Sequence, residues 1–227
     1  MGNSAVNSSW RERQAHLREV MAEAKTLERE PAARWVTVVF GAATALWIVV
    51  VVWLALTLPD EVPIHWSSGG VPDGWASKTG ALAFSILVPV ATIFPLVFLS
   101  RLVLAAPDTL NTPHKEWWIA DPRRLIRCER LLREDLMVIV ALTVVLLTTV
   151  DVLIGYAAHQ PGGVVPSWWF TILLAAYVLA LVGYTTWMYA SARYRPTKPD
   201  PPTGKCPPQL SPNTDHYDDC VGHNRPL

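Results

Sequence analysis

Four long runs almost without charge constrain this chain more than anything else in its sequence. Trp35–Leu58, Thr79–Ser100 and Trp168–Ala192 contain no Asp, Glu, Lys or Arg, and Leu136–Ala158 contains only Asp151. A helix rising 1.5 Å per residue needs about 20 apolar residues to cross a bilayer, and each run is long enough. A helix in a soluble core rarely goes so far without a polar face. The runs predict four transmembrane helices, at about 35–58, 79–104, 136–158 and 168–190. Pro89 and Pro95 fall inside the second run. In a spanning helix they predict a kink rather than an end, because neighbouring groups can satisfy the freed carbonyls.

The remaining composition narrows the class further. Charged residues make up 17% of the chain and hydrophobic residues 51%, whereas soluble domains are usually about 25% charged. The apolar content argues against intrinsic disorder over the whole chain, and three cysteines against a disulfide scaffold. With 19 Lys+Arg against 19 Asp+Glu there is no overall charge to attract nucleic acid. The first run is preceded by a long polar segment, exceeds the apolar core of a signal peptide and lacks a small-x-small site, so it is expected to stay as an anchor.

Basic residues are unevenly distributed between the loops. Arg11, Arg13, Arg18, Lys25, Arg29 and Arg34 precede the first span. Only Lys78 falls in the first loop and none in the third, while the second loop carries Arg101, Lys115, Arg123, Arg124, Arg127, Arg130 and Arg133. The positive-inside rule then predicts both termini in the cytoplasm. Trp168 and Trp169 at one end, with Trp35, Trp187 and Tyr189 at the other, suit interfacial belts.

Outside the spans the two ends of the chain differ. Ser9 and Glu12 have capping-box spacing, and Leu17, Val20, Ala24 and Leu27 form one narrow apolar stripe. A helix over Ser9–Glu30 is expected, lying on the inner leaflet or on a neighbouring subunit. Beyond Arg195 the chain has many prolines and few apolar residues, so a disordered tail is expected. The expected fold is an all-α membrane protein with four transmembrane helices, N-in/C-in. It divides into an amphipathic N-terminal helix (1–34), a four-helix domain (35–192) and a disordered cytoplasmic tail (193–227).

The first loop, 58–78, is the densest in chemistry. Pro59 and Pro63 stiffen its start, and Gly69-Gly70 and Pro72-Asp73-Gly74 signal two tight turns. Trp66 and Trp75 are placed to fold back onto the interface, and Lys78 to snorkel from the next span. The loop reads as a compact outer cap, or as a binding face in which His65 and Asp73 form a titratable or metal-binding pair. One His and one carboxylate make an incomplete zinc shell. The outward-facing groups His65, His159, Asp60, Glu61, Asp73 and Asp151 have no spacing that demands a metal.

The second loop ends with Asp121 as an N-cap and Pro122 at the first helical position. Arg123, Arg127 and Arg130 then recur at helical spacing among Leu125, Ile126, Leu131 and Leu132. This predicts a basic amphipathic helix leading into the third span, suited to an anionic inner leaflet or to a cytoplasmic regulator. Asp151, the ionisable residue well inside a span, is a candidate functional site by default. Water, Lys78, Tyr156 and His65 are its possible partners. In the tail, Cys206, His216, Cys220 and His223 are zinc-compatible, but their spacing is looser than that of known structural sites. Cys128 beside the membrane is open to acylation or to burial. No Walker loop, dinucleotide fingerprint, H-E-x-x-H or G-x-S-x-G occurs, so neither an enzyme nor a cofactor is expected. Gly41, Ala42, Ala43 and Ala45 would allow close packing between helices or protomers.

Two blocks of residues resemble a known family. Leu58-Pro59, Pro63-x-His65-Trp66 and Gly70-x-Pro72-Asp73-x-Trp75-x-x-Lys78 are similar to the signature of a bacterial membrane domain of unknown function. That domain also forms the N-terminal half of the sporulation-delaying-protein immunity (SdpI-type) proteins. Asn111-Thr-Pro113-His-Lys115-x-Trp117-Trp118 with Pro122-Arg123-Arg124 resembles the family's second block. The blocks and adjoining helices cover roughly Trp35 to Ala158, and the fourth span and tail have no recognisable counterpart. The resemblance implies a multi-pass protein of the bacterial cell membrane, with a peptide toxin as partner; a cytoplasmic regulator is the partner that the basic helix of the second loop allows. The functional expectation is a non-enzymatic membrane protein. Its outer loop, with His65, Trp66, Asp73, Trp75 and Lys78, would bind or sense. Its inner loop, with Asn111, Pro113, Lys115, Trp117, Arg123 and Arg124, would relay or dock. The alternative is a small transporter with an ion path through Asp151 and His65.

Overall fold

The computed structural model describes residues 2–67, 69–109 and 111–196, with side chains from residue 11 onward. The expected disordered tail, 193–227, begins too early: Ala192–Tyr194 is a 3-10 turn and Tyr194 is buried. The rest of it beyond residue 196, with Cys206, His216, Cys220 and His223, lies outside the described residues.

In chain order the elements are helix α1 (Gly2–Thr26), helix α2 (Arg34–Thr57), strands β1 (Glu61–Trp66) and β2 (Pro72–Ser77), and helix α3 (Lys78–Val88). A π-helical turn (Pro89–Ile93), a 3-10 stretch (Phe94–Arg101) and helix α4 (Leu102–Ala105) continue the line of α3. Helices α5 (Lys115–Ile119), α6 (Pro122–Ala158) and α7 (Trp168–Ala190) complete the fold. Four of these segments, Arg34–Thr57, Lys78–Ala105, Pro122–Ala158 and Trp168–Ala190, are long and apolar enough to cross a membrane. By length and composition the chain reads as a multi-pass membrane protein, mostly helical.

Helix α6 is the axis of the bundle. Its 37 residues span about 55 Å at helical rise, well beyond the ~30 Å of a hydrocarbon core. The surplus is its charged first part, up to Asp135. Asp121 starts it as the sequence predicts: its Oδ1 accepts the Arg123 and Arg124 amides at 2.9 and 3.1 Å, and Pro122 follows at the first helical position. Val140, Ala141 and Val144 of α6 pack with Ala43 and Trp47 of α2. Nearer the hairpin, Val50 and Leu54 of α2 are buried with Leu58, Val62 and Ala81. Helix α7, by contrast, buries none of its residues.

Several expectations are corrected here. The fold is not purely helical, because the first loop is an antiparallel hairpin with Glu61 opposite Ser77 and Pro63 opposite Trp75. Its register shifts on either side of His65. Helix α1 begins and ends earlier than Ser9–Glu30, at Gly2 and Thr26. Its stripe does not lie free for a leaflet or another subunit. Val20 and Ala24 are buried against Val103, Trp118, Leu125, Ile126 and Tyr194 of the same chain. In the second span the two prolines produce more than a kink, for the α-helical pattern itself changes from Pro89 to Arg101. Pro89 has no N–H for the carbonyl four residues back. That carbonyl, of Ser85, takes the Trp47 indole N–H instead, at 3.3 Å.

Candidate functional site

At the hairpin end, β1 and β2 are fixed to the loop between α6 and α7 by backbone chemistry. The Trp66 indole donates to the Gly163 carbonyl at 2.9 Å, and the Val165 amide to the Gly70 carbonyl at 3.1 Å. Both glycines lie in the left-handed region, at φ +76° for Gly70 and +68° for Gly163. A Cβ on Gly70 would run into the Val165 carbonyl, and one on Gly163 would press on the rings of Pro72, Pro63 and Trp75. Glycine is therefore what allows the two loops to touch. His159 adds a second fastening. Its Nδ1 lies 2.6 Å from the Gly155 carbonyl and its Nε2 3.0 Å from that of Thr57. It thereby joins the last turns of α6 and α2, where carbonyls lack helical partners.

This arrangement leaves a cleft of about 510 Å³ between β1, α6 and α7. Ile64, His65, Trp66 and Ser67 line it from the hairpin side, Val150 and Ile154 from α6, and Ser167, Phe170 and Thr171 from the start of α7. Trp66 and Phe170 stack across it with centroids 5.1 Å apart. At the rim His65 Nδ1 meets Asp73 Oδ1 at 2.5 Å, both side chains open to solvent. Trp75 and the other acids of this loop, Asp60 and Glu61, are also exposed, while Lys78 is half-buried at the start of α3. His65 and Asp73, paired in one of the two readings of this loop, are thus in contact. Among the described residues no three His, Cys, Asp or Glu side chains converge on one point as a metal site.

Asp151 lies deeper and makes none of the expected contacts to Lys78, Tyr156 or His65. Its Oδ1 accepts the Ser85 hydroxyl at 2.7 Å, and its Oδ2 has no hydrogen-bond partner. The residue is 5% exposed and lines a separate cavity of about 40 Å³ with Phe84, Ser85, Val88, Pro89 and Leu147. Val150 and Ile154 line both this cavity and the cleft.

The opposite end holds what sequence reasoning missed. Glu129, Glu134 and Asp135 are among the most buried side chains of the molecule, at 0, 3 and 1% exposure. Glu129 pairs with Arg29 and accepts the Ser100 hydroxyl. Glu134 accepts the Ala33 amide at 2.8 Å and Arg193 at 2.6 Å. Asp135 takes the hydroxyls of Tyr184 and Tyr194 at 2.8 and 2.5 Å, with Arg193 Nε at 3.1 Å. Burial first, and then the Asp135 charge, pushes the Tyr194 phenol well above its ordinary range, so it stays a donor. Arg130, assigned to the basic face, is recruited inward to Glu30 at 3.1 Å, and Arg133, counted among the loop's basic residues, to Glu129 at 3.8 Å. Arg123 and Arg127 remain exposed, and Arg124 lies over the Trp117 ring at 4.5 Å. Asn111 and Pro113 are exposed as well, and Lys115 donates to the Asp108 carbonyl. The available signal was a carboxylate three or four residues from an arginine on one helix, which also describes an ordinary solvated face.

Residues 42–88 match the model of a family described as a domain of unknown function, DUF1648. The match takes in most of α2, the whole hairpin and α3, which are the elements that carry His65, Asp73 and Ser85. No curated protein and no solved structure matches the chain.

Proposed function

We propose that this is a non-enzymatic, N-in/C-in protein of the bacterial cell membrane that binds a peptide at its outer hairpin, in the manner of toxin-immunity or envelope-sensing proteins. The cleft of about 510 Å³ carries this reading. It has an aromatic and aliphatic floor, hydroxyls from Ser67, Ser167 and Thr171, and the His65–Asp73 pair at its lip. An apolar pocket with a few convergent polar groups is the usual form of a ligand site. Asp60, Glu61 and Asp73 against Lys78 make the outer face acidic, which favours a cationic peptide. The uneven distribution of basic residues supports the orientation, with exposed Arg123 and Arg127 facing the anionic inner leaflet.

The test uses the full chain in nanodiscs and a lysine-rich amphipathic peptide as probe, read by tryptophan fluorescence. Saturable binding is expected, and Thr171→Trp, which fills the cleft from α7, should abolish it. Equal binding by parent and Thr171→Trp would overturn the reading. The alternative, an ion path through Asp151 and His65, draws on the partnerless Asp151 oxygen beside its small cavity. Such a path would have to pass between Val150 and Ile154. Proton or sodium flux in liposomes, abolished by Asp151→Asn, would favour it.

A further inference from the structure

Two elements are weakly held by apolar packing, and both are tied to the same buried carboxylate, Glu134. Between Arg11 and Thr26, α1 buries only Leu17, Val20 and Ala24, and a non-helical linker, 28–33, joins it to α2. Helix α7 buries nothing. The linker is tied to α6 through Arg29 on Glu129, the Glu30 carboxylate on Arg130 and the Ala33 amide on Glu134. The far end of α7 is tied through Arg193 on Glu134 and Asp135, and Tyr194 on Asp135. Glu134 holds one element with each oxygen.

We infer that Glu134 and Asp135 form a latch through which the end of α7 decides whether α1 stays docked. The coupling follows from charge. Glu134 is buried, and an ionised carboxylate there needs a cationic partner. Arg193 is that partner at 2.6 Å, while Arg130 stands off at 4.0 Å and serves Glu30 at 3.1 Å. When Arg193 withdraws, Arg130 is the nearest replacement. It moves toward Glu134, abandons Glu30, and the linker loses an anchor. Phe170 and Thr171, at the other end of α7, line the outer cleft. The trigger therefore rests on the proposed function, whereas the latch does not.

The latch is tested without ligand, so its failure is distinct from a failure to bind peptide. Spin labels are placed at the exposed positions Ala22→Cys and Arg127→Cys of the full chain, in a Cys128→Ala, Cys206→Ser, Cys220→Ser background, in nanodiscs. The parent should give one short distance. Arg193→Ala should raise the undocked fraction about tenfold, the lower bound for losing one charge-assisted hydrogen bond. In a Glu134→Gln background the same change should leave α1 docked, since position 134 then carries no charge to draw Arg130 from Glu30, and Asp135 keeps the Tyr184 and Tyr194 hydroxyls. The double variant also keeps the test open if Arg193→Ala alone does not fold. An unchanged distance in Arg193→Ala overturns the latch, and so does undocking of the double variant.

Discussion

The two ends of the molecule spend their acidic residues in opposite ways. At the hairpin end Asp60, Glu61 and Asp73 stay exposed, and the elements are joined by backbone carbonyls, an indole and glycine contacts. At the opposite end Glu129, Glu134 and Asp135 are buried and joined to arginines and tyrosines. Exposed charge is free to meet a ligand and contributes little stability. Buried charge cannot be left without a partner, so it dictates which segments must come together. The first end is built to present a surface, and the second to hold chain segments in place.

This contrast can be broken experimentally, beginning at the buried end. Glu134→Ala removes the nearer of the two carboxylates that hold Arg193 and leaves the Ala33 amide without its acceptor, and should cost about 3–5 kcal/mol, read as a large drop in the thermal midpoint in detergent. A loss below about 1 kcal/mol would place the network among surface pairs. At the hairpin end Gly70→Val forces a left-handed residue against the Val165 carbonyl and should cost about 1–3 kcal/mol. The loss should be local: Trp66 becomes accessible to iodide while the α1–α6 distance stays unchanged. Between the two ends, Ser85→Ala removes the hydrogen bond to Asp151 and should cost about 1–3 kcal/mol, with Asp151→Asn restoring part of it. The smallest effect is expected for Asp73→Asn, at most about 1 kcal/mol because the His65 pair is solvent-exposed. If Asp73→Asn destabilised the protein as much as Glu134→Ala, the distinction between the ends would fail.

Particular residues show how far the sequence could be read. The Asp121–Pro122 start of α6 was legible because a cap is a local contact, within three residues. So was the His65–Asp73 pair, whose members face each other across a short hairpin. Asp151 was legible as an oddity in an apolar run, but its partner was not. Ser85 is 66 positions away, and it is buried at the site where Pro89 breaks the helix. The acidic trio was invisible because burial of Glu129, Glu134 and Asp135 depends on segments about 60 and 100 positions distant, Arg193 and Arg29. No periodicity encodes that.

The sequence by itself determined the four apolar spans, their approximate limits and the uneven distribution of basic residues among the loops. Each follows from the free energy of placing a residue in lipid or water, which is a property of that residue and its neighbours in the chain. Only the tertiary structure decided which charges are buried, that the first loop is a hairpin fastened to its neighbour, and that α1 packs on its own bundle. Those outcomes depend on contacts between distant segments, and a buried carboxylate is tolerable only where the fold delivers an arginine to meet it.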